Sequence, residues 1–195
     1  MYTIVGLGNP GKEYEQTRHN IGWLILEEVR ARCNFSVFGA SSRYGSLLSE
    51  GMWGDTQVCF LLPTTFMNNS GRAVAQYVKE KGSLETLIVV HDDVDLPFGT
   101  IRISVGRGAG GHNGVKSIID SCGGNEFIRI RVGIAQRGFF GGIKRPTGDG
   151  LADFVLKPMT SSERKEIPDI AEKVTTAITY ILEKGTVYAM QECNT

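Results

Sequence analysis

The 195-residue chain is long enough to bury one good hydrophobic core, and its 41% apolar and 22% charged residues are ordinary for a globular protein, so we expect a single domain spanning residues 1–195. No run approaches the ~20 apolar residues that a membrane helix needs, which excludes a helical membrane protein. The formal net charge of zero argues against a nucleic-acid partner until the distribution of the charges is considered.

The first half of the chain alternates between segments typical of strands and segments typical of helices. Apolar residues recur at helical spacing after Asn20, and Ser70 and Gly82 are suited to begin and end a second helix. Residues 86–90 form an unbroken apolar run, as in a strand covered on both faces. In chain order, we predict a strand at 2–7, a helix from about 20, strands near 45–48 and 57–62, a helix over 70–82 and a strand at 86–90.

Two further strands are predicted in the second half of the chain, at 101–105 and 128–134, separated by a helix that begins near Asn113. In the later strand the apolar residues face one way. Arg129 and Arg131 face the other way and therefore share one surface.

The chain ends in a helix with clear boundary signals. After a glycine-rich loop and a short element at 151–156, Thr160 and Glu163 have the spacing of a capping box, and Gly185 is placed to end the helix. The complete pattern predicts an α/β fold in which a twisted, mixed, largely parallel sheet is flanked by helices.

The first predicted strand leads into Gly6-Leu-Gly-Asn-Pro-Gly11, which has the spacing of the dinucleotide-binding fingerprint. That fingerprint requires a helix to start on its glycines, but here a polar stretch of roughly eight residues follows. No acidic residue ends a second strand at the required distance of ~20 residues. We therefore interpret the motif as a sharp turn that places the Asn9 amide at the carboxyl end of a strand, the alternative being a turn without function.

Two polar segments are expected to open onto the same crevice as Asn9. Asp92 follows the strand at 86–90, and ligands in open α/β sheets bind beyond the carboxyl ends of the strands. His19 lies at the start of the first helix, although Asn20 as a simple N-cap is the structural alternative for this segment. A histidine that is oriented by a carboxylate through one ring nitrogen activates water with the other. We therefore predict that His19 and Asp92 are the catalytic pair of a general-base hydrolase.

Other chemistries have less support in the sequence. Asp93 is expected to face away from Asp92 and Asp95, and no second acidic cluster supplies the oxygens that a hard cation needs. The three histidines lie in separate segments without zinc-ligand spacing. No G-x-S-x-G elbow is present, and Cys122 looks like part of a helix terminus. We predict an enzyme that uses neither a metal nor a cofactor.

Two loops that lead into helices add neutral polar groups. Asn68 follows an apolar pair that ends in Met67, and the glycine-rich loop leads to Asn113. Such amides suit the binding of a peptide backbone and a developing oxyanion without disturbing the pKa of a nearby histidine. The apolar pair is either a wall for a substrate side chain or ordinary core.

The charges are unevenly distributed along the chain. Between residues 99 and 145, eight Lys and Arg side chains stand against two acidic ones, a net charge of +6, and the rest of the chain is correspondingly acidic. The five glycines of residues 106–114 allow a backbone to approach a phosphate, although a flexible hairpin end would have the same composition. We favour phosphate binding because several arginines lie nearby: Arg102, Arg107, Arg129 and Arg131.

The four cysteines are far apart and form no CxxC pair, and the chain opens directly into a strand-like stretch without a signal or transit segment. We therefore expect a cytoplasmic protein with reduced thiols.

Five segments, GLGNPG, TRHNIG, PTTFMNNSG, HDDVDLPFG and GAGGHNG, occur in this order, and together they closely resemble bacterial peptidyl-tRNA hydrolases over nearly the whole chain. The resemblance is specific because five separate motifs have consistent spacing. It implies a monomeric, cofactor-free esterase that cleaves the ester between a peptide and the terminal ribose of tRNA, and so recycles tRNA from aborted translation.

The resemblance also assigns roles to single positions. His19 matches the catalytic histidine, and Asp92 matches the carboxylate that orients it. The substrate and its carbonyl are held by amides that match Asn9, Asn68 and Asn113. Further positions lining the same cleft match Tyr14, Met67 and His112.

For the tRNA phosphate, the resemblance implies basic contacts at Arg102 and Arg131. Family members often carry a second lysine two residues after the first of these positions, where this chain has Ser104, and Arg107 is the candidate replacement. The segment 138–150 is longer and more basic than the family leads us to expect.

Two rival functions remain open at this point. One is an RNA-binding protein of the same fold without catalysis, against which the presence of His19, Asp92 and the three asparagines argues. The other is a general esterase or peptidase that ignores RNA, for which the basic segment would be accidental.

Overall fold

The structure is a computed structural model that describes residues 1–137, 143–144 and 150–194. The strands in these residues are β1 Tyr2–Gly6, β2 Gly39–Ser41, β3 Ser46–Trp53, β4 Thr56–Pro63, β5 Leu87–Pro97, β6 Ile101–Val105, β7 Ile128–Arg137 and β8 Ile143–Lys144. The helices are α1 Ile21–Arg32, α2 Ser70–Lys81, α3 Asn113–Cys122, α4 Gly150–Leu156, α5 Ser161–Lys165, α6 Ile167–Lys184 and α7 Thr186–Cys193, with 3-10 turns at Arg18–Asn20, Met67–Asn69 and Leu84–Thr86. Among the described residues, no helix combines the length and apolar character needed to cross a membrane.

One mixed sheet organises the molecule, with strand order β2-β3-β4-β1-β5-β7-β6 and β8 paired with β7. The central strands β4, β1, β5 and β7 run parallel, whereas β2, β3 and β6 pair antiparallel at the two edges. The predicted α/β class with a mixed, largely parallel sheet is confirmed. Gly6 of β1 is paired with Val90 of β5, so the residues that follow these two positions share one edge of the sheet.

Helices cover both faces of the sheet. Ile4 of β1 belongs to a core shared with α1 and α6, whereas the next residue, Val5, belongs to a core shared with α2 and α3. Residues 87–90 alternate between the same two cores, which explains their unbroken apolar run. In β7, the four β-branched residues that alternate with Arg129 and Arg131 all enter the core on the α6 side. The two arginines therefore project from the opposite face, as predicted.

Close packing brings the first helix onto the sheet. A Cβ atom at Gly22 would lie 2.5 Å from the carbonyl oxygen of Val90 and 2.7 Å from the backbone nitrogen and oxygen of Leu7, so this position requires glycine. α1 begins at Ile21, well beyond the glycines of residues 6–11, and no helix starts on that turn. The segment therefore lacks the geometry of a dinucleotide-binding loop.

Several boundaries differ from the predicted ones. β5 continues through the acidic residues to Pro97, beyond the apolar run that revealed it. The predicted capping box of Thr160 and Glu163 forms, but it caps the short α5, while α6 begins separately at Ile167. β2 and β8 were not predicted because strands this short carry no detectable periodicity. The prediction about residues 138–150 falls largely outside the described residues.

Candidate active site

His19 and Asp92, predicted as a pair from distant segments, are in direct contact. Nδ1 of His19 lies 2.8 Å from Oδ1 of Asp92, and both residues are buried. His19 comes from the 3-10 turn before α1, and Asp92 comes from the part of β5 beyond its apolar run. A carboxylate only accepts hydrogen bonds, so the proton of a neutral His19 is assigned to Nδ1, and Nε2 carries the basic lone pair.

The turn that carries His19 is anchored by its neighbours on the chain. The buried guanidinium of Arg18 binds the carboxylate of Glu163 through Nε at 3.2 Å and Nη2 at 2.8 Å. Its Nη1 donates to the backbone oxygens of Phe154 and Lys157 at 3.5 and 3.4 Å. The turn is thus attached to the α4–α5 segment, which holds the imidazole in place.

His112 is a second ring on the same carboxylate oxygen. Its Nε2 lies 2.9 Å from Oδ1 of Asp92, while its Nδ1 accepts the backbone N–H groups of Gly114 and Val115 at 3.1 and 3.3 Å. The ring is therefore the N-cap of α3. Because Nδ1 is an acceptor, the proton of a neutral His112 is assigned to Nε2, which donates it to Asp92. Histidine is not among the usual capping residues, so the sequence did not indicate this role.

The buried contacts around Asp92 shift the pKa values of Asp92 and His19. Burial would raise the pKa of Asp92, but the charges of His19 and His112 and their hydrogen bonds hold that pKa well below its usual range. For His19, burial lowers the pKa, whereas the charge and hydrogen bond of Asp92 raise it, and the net effect is a pKa above the usual value. Asp92 is thus an ionised partner that strengthens the basicity of His19.

His91 lies behind these residues and was not singled out from the sequence. Its Nδ1 donates to the backbone oxygen of Asp92 at 2.7 Å, and its ring meets His112 edge-on with centroids 4.7 Å apart. Burial, followed by the nearby His112, lowers the pKa of His91 well below its usual value, so this ring is neutral. Its Nε2 is buried without a hydrogen-bond partner among the described residues.

Asn9 is held by a second network. Its Oδ1 accepts the backbone N–H of Met67 at 2.7 Å, which leaves Nδ2 as the donor for the cleft. The side chain of Asn20 bonds both the backbone N–H and the backbone oxygen of Asn9, each at 2.9 Å. Asn20 makes no side-chain capping bond, so the interpretation of this residue as a simple N-cap is wrong. It positions Asn9 instead.

A cleft of about 1160 Å³ opens over these groups. Asn68 and Asn113 line it with exposed side chains, and Met67 lines it from a buried position. Phe66 also lines the cleft and is 58% exposed, whereas Tyr14 lies edge-on to Phe66 with ring centroids 6.4 Å apart and is not itself among the lining residues. A further wall is apolar and comes from α4 and α7, with Leu151, Val155, Leu156 and Met190.

The cleft also includes the basic residues of β6 and β7 and of the loop after β6. In the register of the two strands, Arg102 lies opposite Arg131, and Ser104 lies opposite Arg129. Arg102 and Arg107 are exposed, whereas Arg129 is buried. All of these residues line the cleft. We call the four arginines the basic shelf: Arg102, Arg107, Arg129 and Arg131.

Asp92 and Asp93 serve different partners. Oδ2 of Asp93 accepts Nε of Arg131 at 2.6 Å, and its Oδ1 accepts the backbone N–H of Asp95 at 2.8 Å. Asp93 is thus set apart from Asp92, as expected, because alternation along a strand separates adjacent residues. Its contact with Asp95 is made through the backbone N–H of Asp95. Alternation places residues 93 and 95 of a regular strand on one face, so the expectation that Asp93 also faces away from Asp95 did not follow from the strand pattern.

The described residues contain one group that could hold a metal ion, formed by His19, Asp92 and His112, with ligand atoms within 4.8 Å of one another. Coordination would require the lone pair of Nε2 in His112. That ring already uses its lone pair at Nδ1 to accept the backbone N–H groups of α3. A metal ion would therefore have to displace the helix cap, and the existing bonds favour a hydrogen-bonded relay.

Known proteins resemble this chain in sequence and in structure. The sequence model of the family described as peptidyl-tRNA hydrolase matches residues 3–195. The peptidyl-tRNA hydrolases of Thermodesulfovibrio yellowstonii and Syntrophotalea carbinolica are 41% and 39% identical to it, over 100% of this chain and 99% and 97% of theirs. A crystal structure of peptidyl-tRNA hydrolase from Acinetobacter baumannii, 30% identical, gives a TM-score of 0.88 and covers 100% of this chain and 94% of that one. The chain therefore belongs to the peptidyl-tRNA hydrolase family and is a hydrolase.

Proposed function

We propose that His19 is the general base in the hydrolysis of the ester that joins a peptide, or an N-blocked aminoacyl group, to tRNA. The observation that carries this proposal is the distribution of lone pairs among the three histidines. His112 uses its lone pair to cap α3, and that of His91 is buried without a partner among the described residues. His19 is the ring whose basic nitrogen is left for a substrate at the cleft.

In the proposed reaction, Nε2 of His19 takes a proton from a water molecule while the water oxygen attacks the ester carbonyl. Asp92 stabilises the imidazolium that forms. The tetrahedral intermediate then collapses, the bond between the carbonyl carbon and the ribose oxygen breaks, and His19 returns the proton to that oxygen. The products are the free peptide acid and tRNA with a free hydroxyl, and general acid–base catalysis of this kind contributes about 10² to 10⁴ in rate.

Neutral amides would hold the reacting carbonyl and the peptide. Asn9 offers Nδ2 as a donor, and the exposed side chains of Asn68 and Asn113 lie on the same cleft. Hydrogen-bond donors aimed at a developing oxyanion lower the barrier without adding a charge that would shift the pKa of His19. Substrate contacts are also assigned to three residues around these amides: Tyr14, Met67 and His112.

The tRNA would approach along the basic shelf. Arg102 and Arg107 are exposed on the cleft and can meet phosphates directly. Arg131 would share its charge between Asp93 and the RNA. We further propose that the enzyme works as a monomer in the cytoplasm, with neither a metal nor a cofactor, and recycles tRNA from aborted translation.

The decisive assay is the release of tRNA from N-blocked aminoacyl-tRNA by the purified protein. We expect His19→Ala to stop release and added imidazole to restore part of it, because a small base can occupy the space that the ring leaves. Turnover that is unchanged by His19→Ala would contradict the proposed mechanism. The exposed Arg72 of α2, replaced in Arg72→Gln, is a control outside the cleft.

The rival functions give different outcomes in the same assay. Tight binding of tRNA without release would indicate a binding protein. Equal cleavage of a small N-acyl amino ester would indicate a general esterase. Hydrolysis of N-blocked aminoacyl-adenosine in the presence of EDTA would support the metal-free reaction, whereas its abolition by EDTA would contradict it.

A further inference from the structure

Two of the amides that line the cleft stand at the beginnings of neighbouring helices. Asn68 lies in the 3-10 turn that leads into α2, two residues before that helix, and Asn113 is the first residue of α3. Both side chains are exposed and line the cleft, and the proposed function assigns both to the substrate. The packing of α2 against α3 therefore sets the separation of these two amides.

The two helices touch through their backbones at Gly71 and Ser117. A Cβ atom at Gly71 would lie 1.9 Å from the backbone oxygen of Ser117 and 2.6 Å from Oγ of Ser121, so this position requires glycine. Gly71 is the second residue of α2. Ser117 lies four residues after Asn113 and therefore on the same side of α3. The contact is thus within about one helical turn of both amides.

The hydroxyl of Ser117 forms a hydrogen bond across this contact. The backbone N–H of Gly71 donates to Oγ of Ser117 at 2.9 Å. The first N–H groups of a helix have no partner within the helix, and the side chain of the residue before the helix usually accepts one of them. In α2 that residue is Asn69, which makes no side-chain capping bond. Ser117 therefore caps α2 from the neighbouring helix.

A second close contact joins the same two segments. A Cβ atom at Gly114 would lie 2.4 Å from Sδ of Met67, so the thioether occupies the space that a side chain at position 114 would need. Met67 and Gly114 are the neighbours of Asn68 and Asn113 along the chain. The two amides are therefore flanked by contacts between the segments that carry them, and a shift of either helix would change their separation.

We propose that Ser117 is a positioning residue that sets the separation of Asn68 and Asn113 for the substrate. The proposal rests on the proposed function for the role of these two amides. Ser117 is not among the described residues that line the cleft, so it acts through the helices that it joins. His112 caps α3 and binds Asp92, so the bond from α2 to Ser117 also fixes Asn68 relative to the carboxylate of the proposed catalytic pair.

The first test observes the contact without any hydrolysis, by NMR of the ¹⁵N-labelled protein. In Ser117→Ala, we expect hydrogen exchange at the backbone amide of Gly71 to become about tenfold faster and the side-chain NH₂ resonances of Asn68 to shift. Ser121→Ala is the matched control, because it removes an exposed hydroxyl next to the same glycine, and it should leave both signals unchanged. Unchanged exchange at Gly71 in Ser117→Ala would overturn the proposal.

The second test asks whether Ser117 acts through Asn68. Ser117→Ala should lower kcat/KM about tenfold, and equally for N-blocked aminoacyl-tRNA and N-blocked aminoacyl-adenosine, because both carry the acyl group that the amides would hold. In the Asn68→Ala background, the same substitution should change kcat/KM by less than about twofold, since the amide that Ser117 positions is already absent. Losses that simply multiply in the double variant would indicate an independent structural role and would refute the proposal.

The control and the assay of the proposed function complete this test. Ser121→Ala should stay within about twofold of the unmodified enzyme on both substrates, and a tenfold loss in this variant would mean that any change on this side of α3 lowers activity. If no preparation hydrolyses either ester, the proposed function fails on its own. The NMR measurements then still decide whether Ser117 fixes Asn68.

Discussion

Replacement of Asp92 by asparagine separates the charge of this residue from its geometry. Oδ1 accepts both His19 and His112, and the amide oxygen of Asp92→Asn can occupy the same position and accept both N–H groups. What is lost is the attraction between the carboxylate and the imidazolium that forms during the reaction. For unit charges roughly 4 Å apart at an effective dielectric constant of ~20, this attraction is about 4 kcal/mol. That corresponds to a loss of about a thousandfold in turnover.

The pH dependence of turnover supplies a second readout, because Asp92→Asn should lower the rate and yet extend activity to lower pH. A general base must be unprotonated, so activity should fall as the pH drops below the raised pKa of His19. Burial lowers that pKa, and the charge and hydrogen bond of Asp92 raise it. Without the carboxylate charge, the effect of burial dominates. The acidic limb of the profile for Asp92→Asn should therefore move to lower pH, which makes the variant slower but less sensitive to acid.

The assay is single-turnover release of tRNA from pH 5 to pH 9, with thermal unfolding followed in parallel. Asp120→Asn is the matched control, because it removes one exposed carboxylate, ion-paired with Lys116, from the surface of α3. Two results would refute the reasoning: an acidic limb that moves to higher pH, or a turnover of Asp92→Asn equal to that of the control. Either would mean that Asp92 does not support the basicity of His19.

Three further predictions concern the residues that hold the site together. Glu163→Gln should lower the free energy of unfolding in urea by about 3–5 kcal/mol, because it leaves Arg18 buried without its counter-ion. Asp169→Asn, in the exposed first turn of α6, is the control and should have little effect on that free energy. Asn20→Ala removes both side-chain bonds to the Asn9 backbone and should lower the free energy of unfolding by about 1–3 kcal/mol. It should also raise KM, and an unchanged KM would argue against a role of Asn20 in positioning Asn9. His112→Ala should lower the free energy of unfolding by about 1 kcal/mol, because the α3 cap is lost. His112→Asn should retain the cap and its stability but still lose turnover. Equal melting temperatures for the two variants would contradict the capping role.

The contact between His19 and Asp92, which we propose as the catalytic pair, could be anticipated because its signals are local. Asp92 follows an apolar run that is typical of a buried strand, and His19 stands at a helix start, so both are expected near the crevice beyond the carboxyl ends of the strands. Their contact at 2.8 Å follows from the parallel pairing of β1 with β5, which the order of elements made plausible but did not establish.

The supporting roles could not be predicted because they depend on distances between segments remote in sequence. Asn20 has the residue type and position of an N-cap, and local preference points to that role. In the folded chain its side chain satisfies the backbone of Asn9 instead, since the turn after β1 passes within 2.9 Å of it. The position of Ser104 opposite Arg129 could not be predicted either. It depends on the register between β6 and β7, and the alternation of side chains along each strand does not determine that register.

The alternation of side chains along β5 lets one strand serve two chemistries at once. Asp92 holds His19 and His112, while the adjacent Asp93 holds Arg131 of the basic shelf. In the proposed function, the reacting centre would thereby be served by one carboxylate and neutral donors, while the other carboxylate neutralises part of the positive charge that would face the RNA. The charge of Asp93 also acts on the buried Arg129, but Nε and Nη2 of this arginine make no hydrogen bond among the described residues. A substrate with both an ester and a phosphate would satisfy the two sets of donors together, and an ester without a phosphate would satisfy the first set alone.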